Sequence, residues 1–364
     1  MTSLQQLSNW LKLSFSYGVG SATFLKLIQH YGSVDTILQQ DLFSLTSVVS
    51  KGIAQSILSN NSVAQVESAL EWQAQLPESR QLLTLENSEY PAELAEIAQP
   101  PLVLFCEGNL ELLKNPKVAI VGTRHPTAQG IENAHNFARE LSLSGLTVVS
   151  GLAAGIDRCA HEGALLDGKT GASTIAVIGT GMDLVYPASN RDLYRKIRES
   201  GLIISEFPLG TPPANNNFPR RNRIVVGLSR ACLVIESAVD GGSMISANFA
   251  LEMGREVMAI PGSIHNPMAR GCHKLIKQGA KLCETTNDIL DEIKFSENRL
   301  INNVIKEESS DPILRALGYE PQAIDTLCAK LNVDFGELCG KLLEFELSGM
   351  VVNCGGGRYQ RIFK

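Results

Sequence analysis

Long apolar runs are missing from this 364-residue chain. No stretch approaches the roughly 18 residues that mark a membrane span, and the N-terminus lacks a basic segment leading into an apolar one. A membrane-spanning or conventionally secreted protein is not expected, and a cytoplasmic one is. Metal and catalytic signatures are missing too. The eight cysteines (106, 159, 232, 272, 283, 328, 339 and 354) form no C-x-x-C pair, so free, mostly buried thiols are expected and no zinc site. There is no H-E-x-x-H and no G-x-S-x-G, and the six histidines are scattered. A lone histidine such as His161 is expected to be structural. Asp157 and Glu206 fall near turns without an obvious partner. Positive charge is also short: 32 Lys and Arg stand against 38 Asp and Glu, a net −6. That excludes a broadly basic nucleic-acid binder and leaves only a local patch. What is plentiful is apolar residue, 44% against 19% charged, which supports a sizeable core in two or three domains.

Residues 1–75 have the pattern of small helices. Gly18-Val19-Gly20 ahead of an amphipathic helix resembles a helix-hairpin-helix turn, whose amides can hold a phosphate; a plain packing module with a glycine turn fits equally well. From 80 to 292, short apolar runs alternate with helical periodicity: 117–122, 146–151, 174–179, 202–207, 231–237, 256–262 and 281–284. Near-continuous apolar strands imply burial on both faces, hence a doubly wound, mainly parallel, Rossmann-like α/β sheet. Residues 81–85 add an edge strand. Residues 293–310 form a linker, and 311–364 combine two helices with a glycine-tipped hairpin, the pattern of a winged helix.

Glycine-containing turns follow strand after strand: Gly122-Thr123-Arg124, Gly151 to Gly155, Gly179-Thr180-Gly181, Gly241-Gly242-Ser243 and Pro261-Gly262-Ser263. In a parallel sheet these gather at one edge, where helix N-termini and bare amides suit an anion. Three nucleotide motifs fail there. The Walker A string Gly163 to Thr170 ends a helix and precedes a strand, the reverse of what a phosphate loop needs, so Lys169 is expected to be a solvated loop residue. In the dinucleotide pattern from Gly179, Leu184 replaces the third glycine, and Glu199 lies inside a helix. The lysine-decarboxylase-like motif is matched at Asp240-Gly241-Gly242-Ser243, but Asn248 stands where the catalytic Glu belongs. A nucleotide-binding or nucleotide-processing enzyme distantly related to that family remains the alternative reading.

The segment from Asn215 through Arg230 carries four arginines and no acid. Pro219 suits a helix start. On a helical wheel Ile224, Val225 and Leu228 face the sheet, while Arg220, Arg223 and Arg230 face away. Arg221 points to the apolar side from the first turn, where it can reach past the helix end into the crevice. Arg270, His273, Lys274, Lys277 and Lys281 form a second basic stretch, and Arg124 adds a charge at the first turn. Phe218 is either a core ring or a platform for unpaired bases.

Together these segments resemble the DprA/Smf family: 121–130, 150–157, 174–190, 204–210, 218–229, 236–262 and 271–280 fall in family order across the central region. The resemblance implies a non-enzymatic binder of single-stranded DNA, without cofactor or metal. It implies that the protein protects incoming DNA in natural transformation, loads the RecA recombinase onto it and relieves the barrier set by single-strand binding protein. It also implies a homodimer through the Rossmann-like domain. The DNA-binding positions it implies are Gly122, Thr123, Arg124, Phe218, Arg221, Asn222, Arg223, Gly242 and Ser243, and Lys274 joins them from the second basic stretch. Two segments depart from the commoner family pattern, "DGGSMISA" and "HPTAQG", and both keep the glycines and small hydroxyls.

The winged helix is expected not to touch DNA. Its recognition helix, 334–348, carries Asp334, Glu337, Glu344 and Glu346 against Lys341 alone, which repels phosphates. Removing residues 305–364 should therefore leave single-strand affinity largely intact in a labelled-oligonucleotide titration. A large loss would assign the helix to DNA after all.

Overall fold

The computed structural model describes residues 4–59, 61–166, 173–295, 311–317, 322–331, 333–348 and 350–361, in two compact units, Met1–Asn298 and Arg299–Lys364. The first unit is built on a nine-stranded sheet. Its strands are β1 (Arg80–Thr84), β2 (Val103–Gly108), β3 (Lys117–Val121), β4 (Thr147–Ser150), β5 (Thr174–Val177), β6 (Leu202–Ser205), β7 (Ala231–Val234), β8 (Glu256–Ala259) and β9 (Lys281–Leu282). Their order is β1-β2-β6-β5-β4-β3-β7-β8-β9. From β6 to β9 all neighbours are parallel, whereas β2 runs antiparallel to both β1 and β6.

Alternation explains why the central strands are mostly apolar. Val118 and Ile120 of β3 enter the core on one face, and Ala119 and Val121 enter the core on the other. Both faces are covered by helices, so the polar residues that remain, at strand ends, are buried and bonded to backbone carbonyls, as Lys117, Ser150, Thr174 and Ser205 are. The edge strand expected at 81–85 is β1. Its partner β2 is an element the sequence did not reveal. The pair is fastened by Arg80 opposite Glu107, whose Nε–Oε1 distance is 3.0 Å.

The chain runs outward from β3 to β6, then returns to place β7 on the other side of β3. This reversal opens a crevice at the carboxyl ends of β3 and β7, the usual ligand position in such sheets. The N-terminal helices pack on the antiparallel end of the sheet. Trp10 Nε1 donates to Leu102 O at 2.8 Å, and the Trp72 ring meets Phe105 with centroids 5.5 Å apart. The Gly18 turn is tucked against Ile53, in keeping with a packing role. Of the Walker-like string, Gly163 lies within the helix Ile156–Leu165, and Lys169 and Thr170 lie outside the described residues.

The second unit contains helices Pro312–Leu317, Ile324–Leu331 and Phe335–Leu347 and a sheet of order β10-β12-β11. These strands are Gln322–Ala323 (β10), Val351–Gly355 (β11) and Arg358–Arg361 (β12). Leu314, Leu327, Leu338, Leu342 and Val351 form its core. On the helix Phe335–Leu347 the single lysine, Lys341, is paired with Glu344 at 3.1 Å, while Phe335, Leu343 and Leu347 are exposed.

His161 is structural, as expected. It is fully buried, and its Nδ1 lies 2.7 Å from Thr174 Oγ1. The Thr174 hydroxyl donates to Val148 O, so it accepts from an Nδ1–H, and Nε2 is left without a partner. Burial, reinforced by Arg221, lowers the His161 pKa to about 3. The unfolded chain therefore binds a proton here between about pH 6.5 and about pH 3 that the folded chain refuses. The stability from this site is fully present above pH 6.5 and erodes as pH falls. Urea unfolding should show a loss of roughly 2 kcal/mol between pH 6.5 and 5 that His161→Gln removes. An identical pH slope in that variant would refute the assignment.

Candidate functional site

At the carboxyl ends of β3, β4 and β7 the crevice widens into a cavity of about 620 Å³. Its walls are the turn after β3, the turn after β4, the loop Ser237–Ser243 after β7 and the first turn of the helix Asn217–Gly227. Of the ten expected site residues, eight line it: Gly122, Thr123, Arg124, Phe218, Arg221, Asn222, Gly242 and Ser243.

Arg221 forms the floor. It is 3% exposed and donates from Nη1 to the carbonyls of Gly151 and Val177, the ends of β4 and β5. A Cβ on Gly151 would overlap the guanidinium, so the turn after β4 needs glycine for this approach. Nε is buried without a partner. Burial pulls the pKa down to about 10, opposed by Asp157 and assisted by Arg124, and the group stays cationic at neutral pH. Asp157, for which the sequence offered no partner, lies within its electrostatic reach. Burial pushes that carboxyl up, Arg221 and the Ala153 amide (3.3 Å) pull it down.

Arg124 is the exposed cation among the described residues that line the cavity. It is exposed, has no carboxylate partner among the described residues, and lies over the Phe218 ring, 5.4 Å from its centroid. Phe218 is half-buried and stacks on Tyr186 at 5.5 Å with the planes 28° apart. Tyr186 went unrecognised in the sequence, although it sits in the family-like segment 174–190. It and Phe218 border a side cavity of about 100 Å³ that also reaches Arg124 and Arg221.

Three helix N-termini are left without a side-chain cap here, those of Ile156–Leu165, Asn217–Gly227 and Gly242–Glu252. A fourth, that of Ala128–Leu143, is closed. Thr127 caps Gly130 N, and the Glu236 carboxylate accepts from the Thr127 amide at 2.9 Å and its hydroxyl at 2.6 Å.

Two expected residues are elsewhere. Arg223, expected on the solvent face, is only 6% exposed, and its Nη2 lies 2.5 Å from Glu206 Oε2. The same oxygen takes Arg220 at 2.9 Å. Glu206 follows β6 directly and meets the helix from outside the segment in which the arginines were counted, so these charges are answered internally. Lys274 is exposed on the helix Arg270–Lys277 after β8, outside the cavity. Lys281, counted in the same basic stretch, is paired with Glu292 at 2.5 Å.

Residues 81–294 match the family model of DNA recombination-mediator protein A, and residues 304–357 match that of the DprA winged helix domain. The chain is 35% identical over 395 aligned residues to protein Smf of Synechocystis, covering 97% of this chain and 98% of the relative. It is 46% identical over 206 residues to DNA processing protein DprA of Streptococcus pneumoniae, covering 57% and 72% respectively. The crystal structure of the pneumococcal protein aligns with a TM-score of 0.69 at 36% identity, covering 79% of this chain and 99% of that one. A Helicobacter pylori DNA processing protein A, described for its single-stranded DNA binding mode, aligns at 0.53 and 32% identity, over 59% and 96%.

The two arginines on Glu206 should separate in their effects. Glu206→Ala leaves the Arg223 guanidinium buried and unanswered, and should cost about 3–5 kcal/mol in urea unfolding. Arg220→Ala removes a half-exposed partner and should cost less than about 1 kcal/mol. Equal small losses would show that Arg223 is solvated.

Proposed function

Because the chain belongs to the DNA recombination-mediator protein A (DprA) family, we propose that it binds single-stranded DNA in the crevice between β3 and β7. The observation that carries this reading is the side-by-side arrangement of an unpaired cation, Arg124, and a stacked aromatic pair, Phe218 and Tyr186, above the buried Arg221. Phosphates are held by Arg124, by the positive floor and by the amides at Gly242 and Ser243, where the helix N-terminus is uncapped. Bases stack on Phe218 with little regard to sequence. Thr123 and Asn222 supply further hydrogen bonds to the backbone. Arg223 acts indirectly, by holding the arginine helix to Glu206.

In this reading the protein shields incoming DNA, loads the RecA recombinase onto it against single-strand binding protein, and works as a homodimer through the α/β unit. Family membership supports these steps, and the recombination-mediator description of the matching model agrees with them. The acidic, partly apolar helix Phe335–Leu347 is assigned to a protein contact. The alternative of a nucleotide-processing enzyme has less support: Asn248 replaces the acid such chemistry requires.

The test is fluorescence anisotropy with a labelled oligonucleotide across a salt series. Arg124→Ala should weaken binding about 10-fold and lower the salt slope by about 0.7, one single-strand phosphate contact. Phe218→Ala should weaken binding without changing that slope. ATP, NAD and AMP should not compete. Competition by a mononucleotide, with turnover, would favour the enzyme instead.

A further inference from the structure

Farther along the helix Ile156–Leu165, beyond the residues that line the crevice, three side chains that DNA binding does not use converge. They are His135, Cys159 and Glu162, and their ligating atoms all lie within 4.8 Å of one another. His135 comes from the helix Ala128–Leu143, while Cys159 and Glu162 are three apart on one face of the neighbouring helix. We propose that these residues form a site for a zinc-class divalent cation, bound by imidazole, thiolate and carboxylate with water as the fourth ligand.

Three observations carry this. The first is that the two helices are locked at contact distance. A Cβ on Gly163 would stand 2.3 Å from His135 O, so glycine is required for the approach that brings the imidazole over the Cys159 turn. The glycine that begins the Walker-like string thus serves helix packing.

The second is that the carboxylate is already aimed. Arg158 Nη2 lies 2.8 Å from Glu162 Oε1, and Arg158 is itself tied to Asn190 Oδ1 at 3.0 Å and Ser189 O at 3.1 Å. Glu162 Oε2 is left facing His135 Nε2 at 3.5 Å. That separation is long for a hydrogen bond. It matches the roughly 3.3–3.7 Å between two ligands of a tetrahedral zinc whose bonds are about 2.0–2.3 Å. An outer group that orients one carboxylate oxygen and leaves the other to a metal is the arrangement expected around a metal centre.

The third is access. Cys159 is 6% exposed, but the His135 and Glu162 side chains above it are 29% and 31% exposed, so an ion reaches the thiol between them. The donor set selects a borderline-soft ion over magnesium or calcium, which take oxygen ligands. A search for closely spaced ligand pairs passes over this site because His135 is distant in sequence from the other two.

The test uses the full-length protein, reduced and stripped of metal with a chelator, then titrated with Co²⁺. A thiolate-to-cobalt charge-transfer absorption should appear in the near ultraviolet, saturate at one equivalent, and vanish on addition of Zn²⁺. Cys159→Ala should lack the band. His135→Ala and Glu162→Gln should each weaken Co²⁺ binding at least ~10-fold. Absence of the band even in large excess of Co²⁺ overturns the proposal. So does a band of unchanged intensity in Cys159→Ala, which would trace it to Cys328, Cys339 or Cys354. If Cys159→Ala folds poorly, His135→Ala alone decides the question, because that ring is partly exposed. Oligonucleotide affinity enters none of these readouts, so failure here leaves the DNA-binding reading untouched, and the reverse.

Discussion

The crevice depends on one buried guanidinium. Arg221 sits at the carboxyl ends of β4 and β5, and its donors meet the carbonyls of Gly151 and Val177. Those carbonyls have no further strand residue to serve, so the arginine completes the sheet edge as well as charging it. A solitary buried cation is costly, and Asp157 offsets that cost from the first turn of the next helix. Low local dielectric then makes the remaining positive potential felt more strongly than that of a solvated lysine. A chain with net charge −6 can in this way present a positive crevice without a basic surface.

The same helix divides its arginines between two tasks. Arg221, on the inner side, faces the cavity. Arg220 and Arg223 converge on a single oxygen of Glu206 and hold the helix against the end of β6. The two tasks are coupled, because Glu206 fixes the axis along which Arg221 and Phe218 project. A rigid helix start is what lets Phe218 keep its stack with Tyr186 while Arg124 rests on the ring.

What could be read in advance follows the range of the interactions concerned. Seven parallel strands were legible because two-sided burial leaves an unbroken apolar run, and their glycine turns located the crevice. The winged-helix hairpin was legible for a similar local reason, the glycine run Gly355–Gly357 at the tip between two short strands. Strand β2 was not. It follows Pro100-Pro101, and its Glu107 looks exposed until Arg80 is seen across the antiparallel pair. The fate of Arg223 was hidden in the same manner. A helical wheel sorts faces but does not know that Glu206 arrives from another strand. Tyr186 was missed because its partner, Phe218, is thirty-odd residues away in sequence and adjacent only once β5 and the arginine helix are in place. Local pattern thus gave strands and turns, and contacts between distant segments decided which charges remain free.

That last distinction bears on ligand class. Uncompensated arginine counts along a sequence favour any polyanion, duplex or single-stranded. Once Glu206 has taken two of the guanidinium groups, Arg124 is the one exposed arginine or lysine among the described residues that line the cavity, and it lies on an aromatic ring instead of standing alone on the surface. A duplex presents its phosphates but keeps its base faces stacked inside, so it could engage Arg124 and not Phe218. A mononucleotide offers a base and a phosphate but cannot bridge from the aromatic pair to the uncapped turn at Gly242 and Ser243 along a continuous backbone. Only a flexible strand, with phosphates and unstacked bases in series, meets both kinds of group at once. If the crevice is the DNA site as proposed, selectivity for single strands would follow from how few charges remain free, and the acidic residues that removed the others would contribute to it.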